Sequence, residues 1–219
     1  MPKVDRWPAA VDELADVGKL VHLAFRQDAV DEEQISLQLL RIRRDAYEKE
    51  LTQQAVRVGC PGKVGFLGAG PILSSLKEAS AQDARSIVGT LNYDIASQIS
   101  AIRAETPTAN RYVYAKRLTA WNNKRSAWKK PQYERMAIGT ARSQALSAFR
   151  QNNAITGYAM LLPKRAVCPI CKGWVKRGRV PLAVATNNPP PYHPNCPHTW
   201  ETYPDKVDPS QCQYLWMGE

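Results

Sequence analysis

The sequence predicts a mainly α-helical chain of several amphipathic helices, closed by a small C-terminal module of loops and a β-hairpin built around cysteine and histidine. Three observations predict it. Apolar residues recur at helical spacing through long tracts between residues 31 and 152. Glycine and proline punctuate those tracts at Gly59, Pro61, Pro107 and Pro131. Three of the five cysteines and two of the three histidines then fall between residues 168 and 198.

Taken in order, residues 9–26 place Leu14, Val17, Val21 and Phe25 on one face of a short helix. Asp31 is an N-cap with Gln34 set for a capping box. The run EEQISLQLLRIRRDAYEKELTQQAVRV carries its acids early and its bases later, as a helix macrodipole prefers, and Gly59 and Pro61 end it. The loop GCPGKVGFLGAGP holds five glycines but fails as a phosphate cradle. Lys63 is followed by Val64 rather than Ser or Thr, and the glycine spacing does not match. Cys60 within it reads as a small packed residue. A second tract, Ile72 to Ala104, carries Leu76, Ile87, Leu91, Ile95, Ile99 and Ile102 and closes at Pro107. A third helix over 110–129 is expected to stop before Pro131, and a fourth to run over 132–152. The resulting partition is an N-terminal helical region at 1–58, a glycine-rich connection at 59–71 and a helical region with a basic face at 72–160. A metal-binding module at 161–205 and a tail at 206–219 complete it.

Composition narrows the classes. With 44% hydrophobic residues in 219, the chain has a core to bury. No stretch approaches the roughly 18 uncharged apolar residues of a membrane helix. The first residues, MPKVDRWPAAVDELAD, lack the apolar core of a signal peptide, so a cytoplasmic setting is expected, where clustered cysteines bind metal more often than they pair. Charge is uneven. Residues 1–105 carry net −2, residues 106–200 carry net +15 with Glu134 as their one acid, and residues 201–219 carry net −3. A segment so basic calls for a polyanionic neighbour.

The segment CPICKGWVKRGRVPLAVATNNPPPYHPNCPHTW carries the chemistry. Cys168 and Cys171 have the two-residue gap that lets one tight turn present two thiolates to a single ion, and His193 and Cys196 repeat that gap 21 residues later. Soft thiolates with an imidazole in tetrahedral array select Zn²⁺. His198 is the alternative imidazole, and Cys212 a more distant candidate. The intervening GWVKRGRVPLAV reads as a short hairpin, with the stiff run from Asn187 to Pro191 leading back to the second pair. No Asp or Glu lies between Glu134 and Glu201, HExxH is absent, and Asn195 stands where a deaminase needs Glu. The ion is therefore read as a structural staple, and the protein as no enzyme.

The stretch from Met136 to Pro204 resembles the minor head protein, or head-morphogenesis, family of tailed bacteriophages, which includes the F protein of phage Mu. The resemblance rests on Ile138-Gly139-Thr140-Ala141-Arg142-Ser143, on Cys168-Pro169-Ile170-Cys171, and on Pro190-Pro191-Tyr192-His193-Pro194-Asn195-Cys196. It covers about a third of the chain and departs from the family pattern at Gln144, Pro197 and His198. It implies a structural capsid component in the head interior near the portal vertex, assembled in the host cytoplasm. Its partners would be the portal or major capsid protein and phage DNA, with no small-molecule substrate.

Upstream, Arg111, Lys116, Arg117, Lys124, Arg125, Lys129 and Lys130 interleave with Tyr112, Tyr114, Trp121 and Trp128. Such a strip tracks phosphates without reading bases. An acidic protein partner, or simply a solvated helix face over core aromatics, are the competing readings. A free-standing zinc-stabilised DNA-binding protein, regulatory or nuclease-like, is the alternative to a virion component.

Overall fold

The computed structural model describes residues 32–60, 70–162, 168–192, 196 and 198–214, with backbone alone for Arg111, Gln213 and Tyr214. The helix expected over 9–26 and the body of the glycine-rich loop lie outside the described residues. The chain is mainly helical, with a small C-terminal sheet. Three long helices come first: α1 Glu32–Val58, α2 Pro71–Glu105 and α3 Arg111–Asn153. Strand β1 Gly157–Leu161, helix α4 Pro169–Arg177, strand β2 Arg179–Pro181, helix α5 Leu182–Asn187, strand β3 Trp200–Pro204 and a 3₁₀ turn Pro209–Tyr214 follow. Among the described residues no helix is long and apolar enough to cross a membrane.

Two expectations about local structure are corrected. The third and fourth helices are one helix, with Pro131 inside it. A proline in a helix interior loses one backbone hydrogen bond and costs roughly 3 kcal/mol. Packing on either side of it supplies more than that: Tyr114 and Leu118 are buried upstream, and Ala137, Ala141, Ala145 and Phe149 downstream. The hairpin read into GWVKRGRVPLAV is instead the end of helix α4, strand β2 and the start of helix α5, and β2 pairs with the earlier β1. Pro169 sits in the first turn of α4, where its missing N–H costs nothing, and Gly178 ends the helix at φ +68.

The chain forms two compact units, each assembled from separate stretches. Of the described residues, the first takes 32–38 and 79–130, which are the start of α1, the later part of α2 and the first part of α3. Residues 106–110 join α2 and α3 as a tight αα-hairpin, and Asn110 caps α3 by accepting from the amides of Tyr112 at 3.1 Å and Val113 at 3.2 Å. Leu91, Ile95, Ile99 and Ile102 face Tyr114 and Leu118 across the hairpin. Arg125 pairs with Asp94 at 2.8 Å, and Arg117 with Glu105.

The second unit holds residues 39–78 and 131–219. Its antiparallel sheet has the order β2-β1-β3, with Ala159 opposite both Val180 and Thr202. The buried Thr202 hydroxyl meets Gln54 Nε2 at 3.0 Å and also Arg57, and Gln54 in turn donates to Glu50 at 2.6 Å. Arg142 from α3 closes this network on Glu50 at 2.7 Å. A buried carboxylate is tolerable only when so paired. Tyr47, Leu51, Val58, Leu76, Phe149 and Leu182 fill the core beside it. Cys60 is not merely packed: it is disulfide-bonded to Cys212, with Cα atoms 5.3 Å apart, joining the end of α1 to the C-terminal turn. Cys212 is thereby withdrawn from any metal.

Two glycines in this unit make contrasting demands. Gly157 opens β1 at φ +132, and a Cβ there would lie 2.5 Å from the Tyr203 carbonyl oxygen and 2.7 Å from Pro204 Cα. Gly173, inside α4, has nothing within 4 Å of such an atom. Gly157→Ala should therefore destabilise by about 2–4 kcal/mol, because both the backbone conformation and the strand pairing must shift. Gly173→Ala should instead stabilise by about 0.5–1 kcal/mol. Urea unfolding followed by circular dichroism measures both, and opposite signs are expected.

Candidate functional site

The candidate metal-ligating residues are positioned by three local devices. The first is the α4 N-terminus, where Cys168 serves as N-cap in extended conformation and its Sγ accepts from the Cys171 amide at 3.3 Å. This places Cys171 in the first helical turn, pointing into the core, where it is fully buried. The helix dipole adds positive potential at the two sulfurs, which favours thiolates. The second is the end of α5. The Asn188 carbonyl accepts from Tyr192 Oη and from Trp200 Nε1, each at 2.9 Å, so one backbone oxygen ties down both ends of the returning chain. The third is α3 itself. Ser143 Oγ donates to the Pro190 carbonyl at 2.8 Å, and Gly139 lets the Pro191 ring approach to 3.3 Å of where a Cβ would stand.

These devices bring Cys171, Cys196 and His198 together, all buried, with their ligand atoms within 4.8 Å of one another. Cys171 Sγ lies 3.7 Å from Cys196 Sγ, and Cys196 Sγ lies 3.8 Å from His198 Nδ1. Sulfurs this far apart are not bonded to each other, and the group can hold a metal ion. Cys168 adjoins it through the Cys171 amide, half-exposed at the rim. The disulfide accounts for two of the five cysteines, and Cys168, Cys171 and Cys196 are the free thiols that remain. Of the two imidazoles weighed from sequence, His198 is the one beside the thiols, and His193 lies outside the described residues.

Electrostatics distinguish the thiols. The Cys171 backbone amide, donating to Cys168, holds that thiol below its ordinary pKa. Burial, followed by the neighbouring sulfurs of Cys168 and Cys196, pushes Cys171 up to about 12. Tyr192, which packs against the same cluster, is raised as well, by burial and then by the three cysteines. Crowding anionic sulfurs in a buried site is unfavourable unless a cation shares their charge, so metal binding must be coupled to thiol deprotonation. Around the cluster, Trp174 and Trp200 pack in a T-shaped pair at 5.4 Å, and the Arg177 guanidinium lies 4.5 Å from the centre of the Trp174 ring. Sequence spacing missed Trp174, Trp200 and the Asn188 carbonyl. The two tryptophans flanking the cysteine pairs were the available signal.

The basic residues of α3 do not form one uniform strip. Lys116, Arg117, Lys124 and Lys130 are exposed, and Lys129 is half-buried with its ammonium 4.7 Å above the Trp128 ring. Arg117 is engaged by Glu105. Arg125 departs most from the expectation: it is only 7% exposed, paired with Asp94 and set beside the Trp121 ring. It sits on the helix face that carries Tyr114 and Leu118, three and two turns before it, so burial was implicit in the helical period. Comparison with protein-family models, curated proteins and solved structures finds no match for the chain.

The geometry ranks the ligands. Cys171→Ser and Cys196→Ser should each abolish metal retention, Cys168→Ser should weaken it, and His198→Ala should weaken it more than His193→Ala. Elemental analysis of protein purified without chelator reads this, with about one ion per folded chain expected. A chelator should lower the melting temperature of the wild type and leave that of Cys171→Ser unchanged.

Proposed function

We propose that the chain is a structural minor head protein of a tailed bacteriophage, held in shape by zinc and contacting DNA or the portal through the exposed lysines of α3. One observation carries this reading. The three segments that resemble the head-morphogenesis family, far apart in sequence, lie in one unit and touch. Gly139 and Ser143 meet Pro191 and Pro190, while Cys171 meets Cys196. A motif whose separate pieces assemble into one site is a stronger match than the same pieces scattered.

Zinc is the metal that suits the site. Zn–S bonds of about 2.3 Å and Zn–N bonds of about 2.0–2.1 Å give tetrahedral edges of roughly 3.8 Å between sulfurs and roughly 3.6 Å from sulfur to nitrogen. The observed separations of 3.7 and 3.8 Å fall close to those edges. Cys168, Cys171, Cys196 and His198 would hold the ion, and a fully protein-bound zinc contributes folding energy rather than chemistry. No carboxylate lies between Glu134 and Glu201 to act as a general base beside the ion. The protein is accordingly read as a non-enzyme.

In the phage that encodes the chain, mass spectrometry of purified heads should find it at low copy number, and a nonsense mutation should yield non-infectious particles. Its absence from purified heads would overturn the virion role in favour of a free DNA-binding protein. Metal-dependent cleavage of plasmid, lost in His198→Ala, would do so in favour of a nuclease. The DNA contact has its own readout. Duplex affinity should fall steeply with salt, and reversing Lys116 and Lys130 to Glu should flatten the log–log slope by about 2 regardless of sequence.

A further inference from the structure

The α2–α3 hairpin carries a groove of about 470 Å³ that the metal site does not use. It is lined by Tyr93 on α2 and by Trp121, Lys124, Arg125, Trp128 and Lys129 on α3. Two of its aromatics are costly to leave in water: Tyr93 is 77% exposed and Trp128 is 54% exposed. They are not gaps in a core, since the hairpin has its own apolar seam through Leu91, Ile95 and Leu118. Positive charge surrounds them, with Lys124 exposed on the rim and the Lys129 ammonium over the Trp128 ring. The acid in the groove, Asp94, is taken up by Arg125 Nε at 2.8 Å.

Arg125 supplies the second, independent observation. Its side chain lines the groove and is more than nine-tenths buried, and its buried Nη2 makes no hydrogen bond within the described residues. A buried guanidinium donor in that condition costs about 1–3 kcal/mol unless an acceptor arrives. An anion with two or more oxygens suits it, and flat rings beside that anion suit the tryptophan and tyrosine faces.

We propose that this groove binds single-stranded nucleic acid, with bases stacked on Trp128 and Tyr93 and a backbone phosphate held by Arg125 Nη2 and Lys124. The inference rests on the DNA-contact part of the function proposed above and narrows it from any phosphate backbone to an unpaired strand. Stacking requires bases that are free of a partner, which a duplex withholds, while the lysines outside the groove serve either form. No base-edge reading is needed, so recognition is sequence-tolerant.

The test uses the full chain with a labelled oligodeoxythymidylate and a duplex of equal length, at one salt concentration. The single strand should bind more tightly and quench tryptophan fluorescence. Trp128→Ala and Tyr93→Ala should each weaken single-strand binding roughly tenfold and leave duplex binding unchanged. Arg125→Lys keeps a cation for Asp94 but loses the second donor, and should weaken it several-fold. Both aromatics are exposed, so these variants should retain wild-type helicity and melting temperature, which circular dichroism verifies. Equal affinity for both forms with Trp128→Ala neutral would overturn the groove while leaving the duplex contact intact. Absence of binding to either form would overturn both. If Trp128→Ala instead abolishes capture of a polyglutamate peptide and spares the oligonucleotide, the occupant is an acidic protein and the proposal fails.

Discussion

The convergence of Cys171 and Cys196 on one buried point organises the C-terminal half of the molecule. The two residues arrive by unrelated routes, Cys171 from the first turn of a capped helix and Cys196 at the end of a proline-rich return, yet their sulfurs stand 3.7 Å apart. Deprotonating thiols so close in a dry interior is unfavourable without a shared cation. Everything nearby serves to hold that arrangement: the Asn188 carbonyl fastened by two side chains, the Trp174–Trp200 pair, and the docking of the Pro190–Pro191 corner on α3. The small sheet alone, with strands of five, three and five residues, is too short to stand without such support.

The same half of the molecule is tied to the long helices by polar as well as apolar means. Thr202 on β3, Gln54 and Glu50 on α1, and Arg142 on α3 form a buried chain in which each polar group has a partner on another element. Loss of any member would strand a buried charge or amide, so the network specifies one arrangement of helices against sheet more sharply than apolar packing can. The Cys60–Cys212 bond adds a covalent link between residues 152 apart in sequence.

The hairpin unit follows a different economy. Its seam is mostly aliphatic, and in its groove aromatic rings are left in solvent beside lysines. Arg125 neutralises Asp94, the one carboxylate among the described residues that line the groove, and leaves lysines beside it.

Much of this was legible in the sequence because it depends on local rules. Helical period and glycine or proline punctuation located α1 and α2 nearly to the residue, and a two-residue gap between cysteines marked the turn that carries Cys171 into the candidate metal site. What escaped depended on distant partners. Pro131 reads as a helix end, and only packing on both sides of it keeps α3 continuous. GWVKRGRV reads as a hairpin, but Cys168 and Pro169 start a helix there and β1 takes the strand that remains. Cys60 and Cys212 gave no sign of each other, since a pairing across 152 residues leaves no local trace. Two imidazoles stood at comparable distances from Cys196 along the chain, and the fold alone decides that His198 turns inward to the thiols. Spacing can say that ligands exist, whereas which side chain reaches the ion is decided by the path of the backbone through the core.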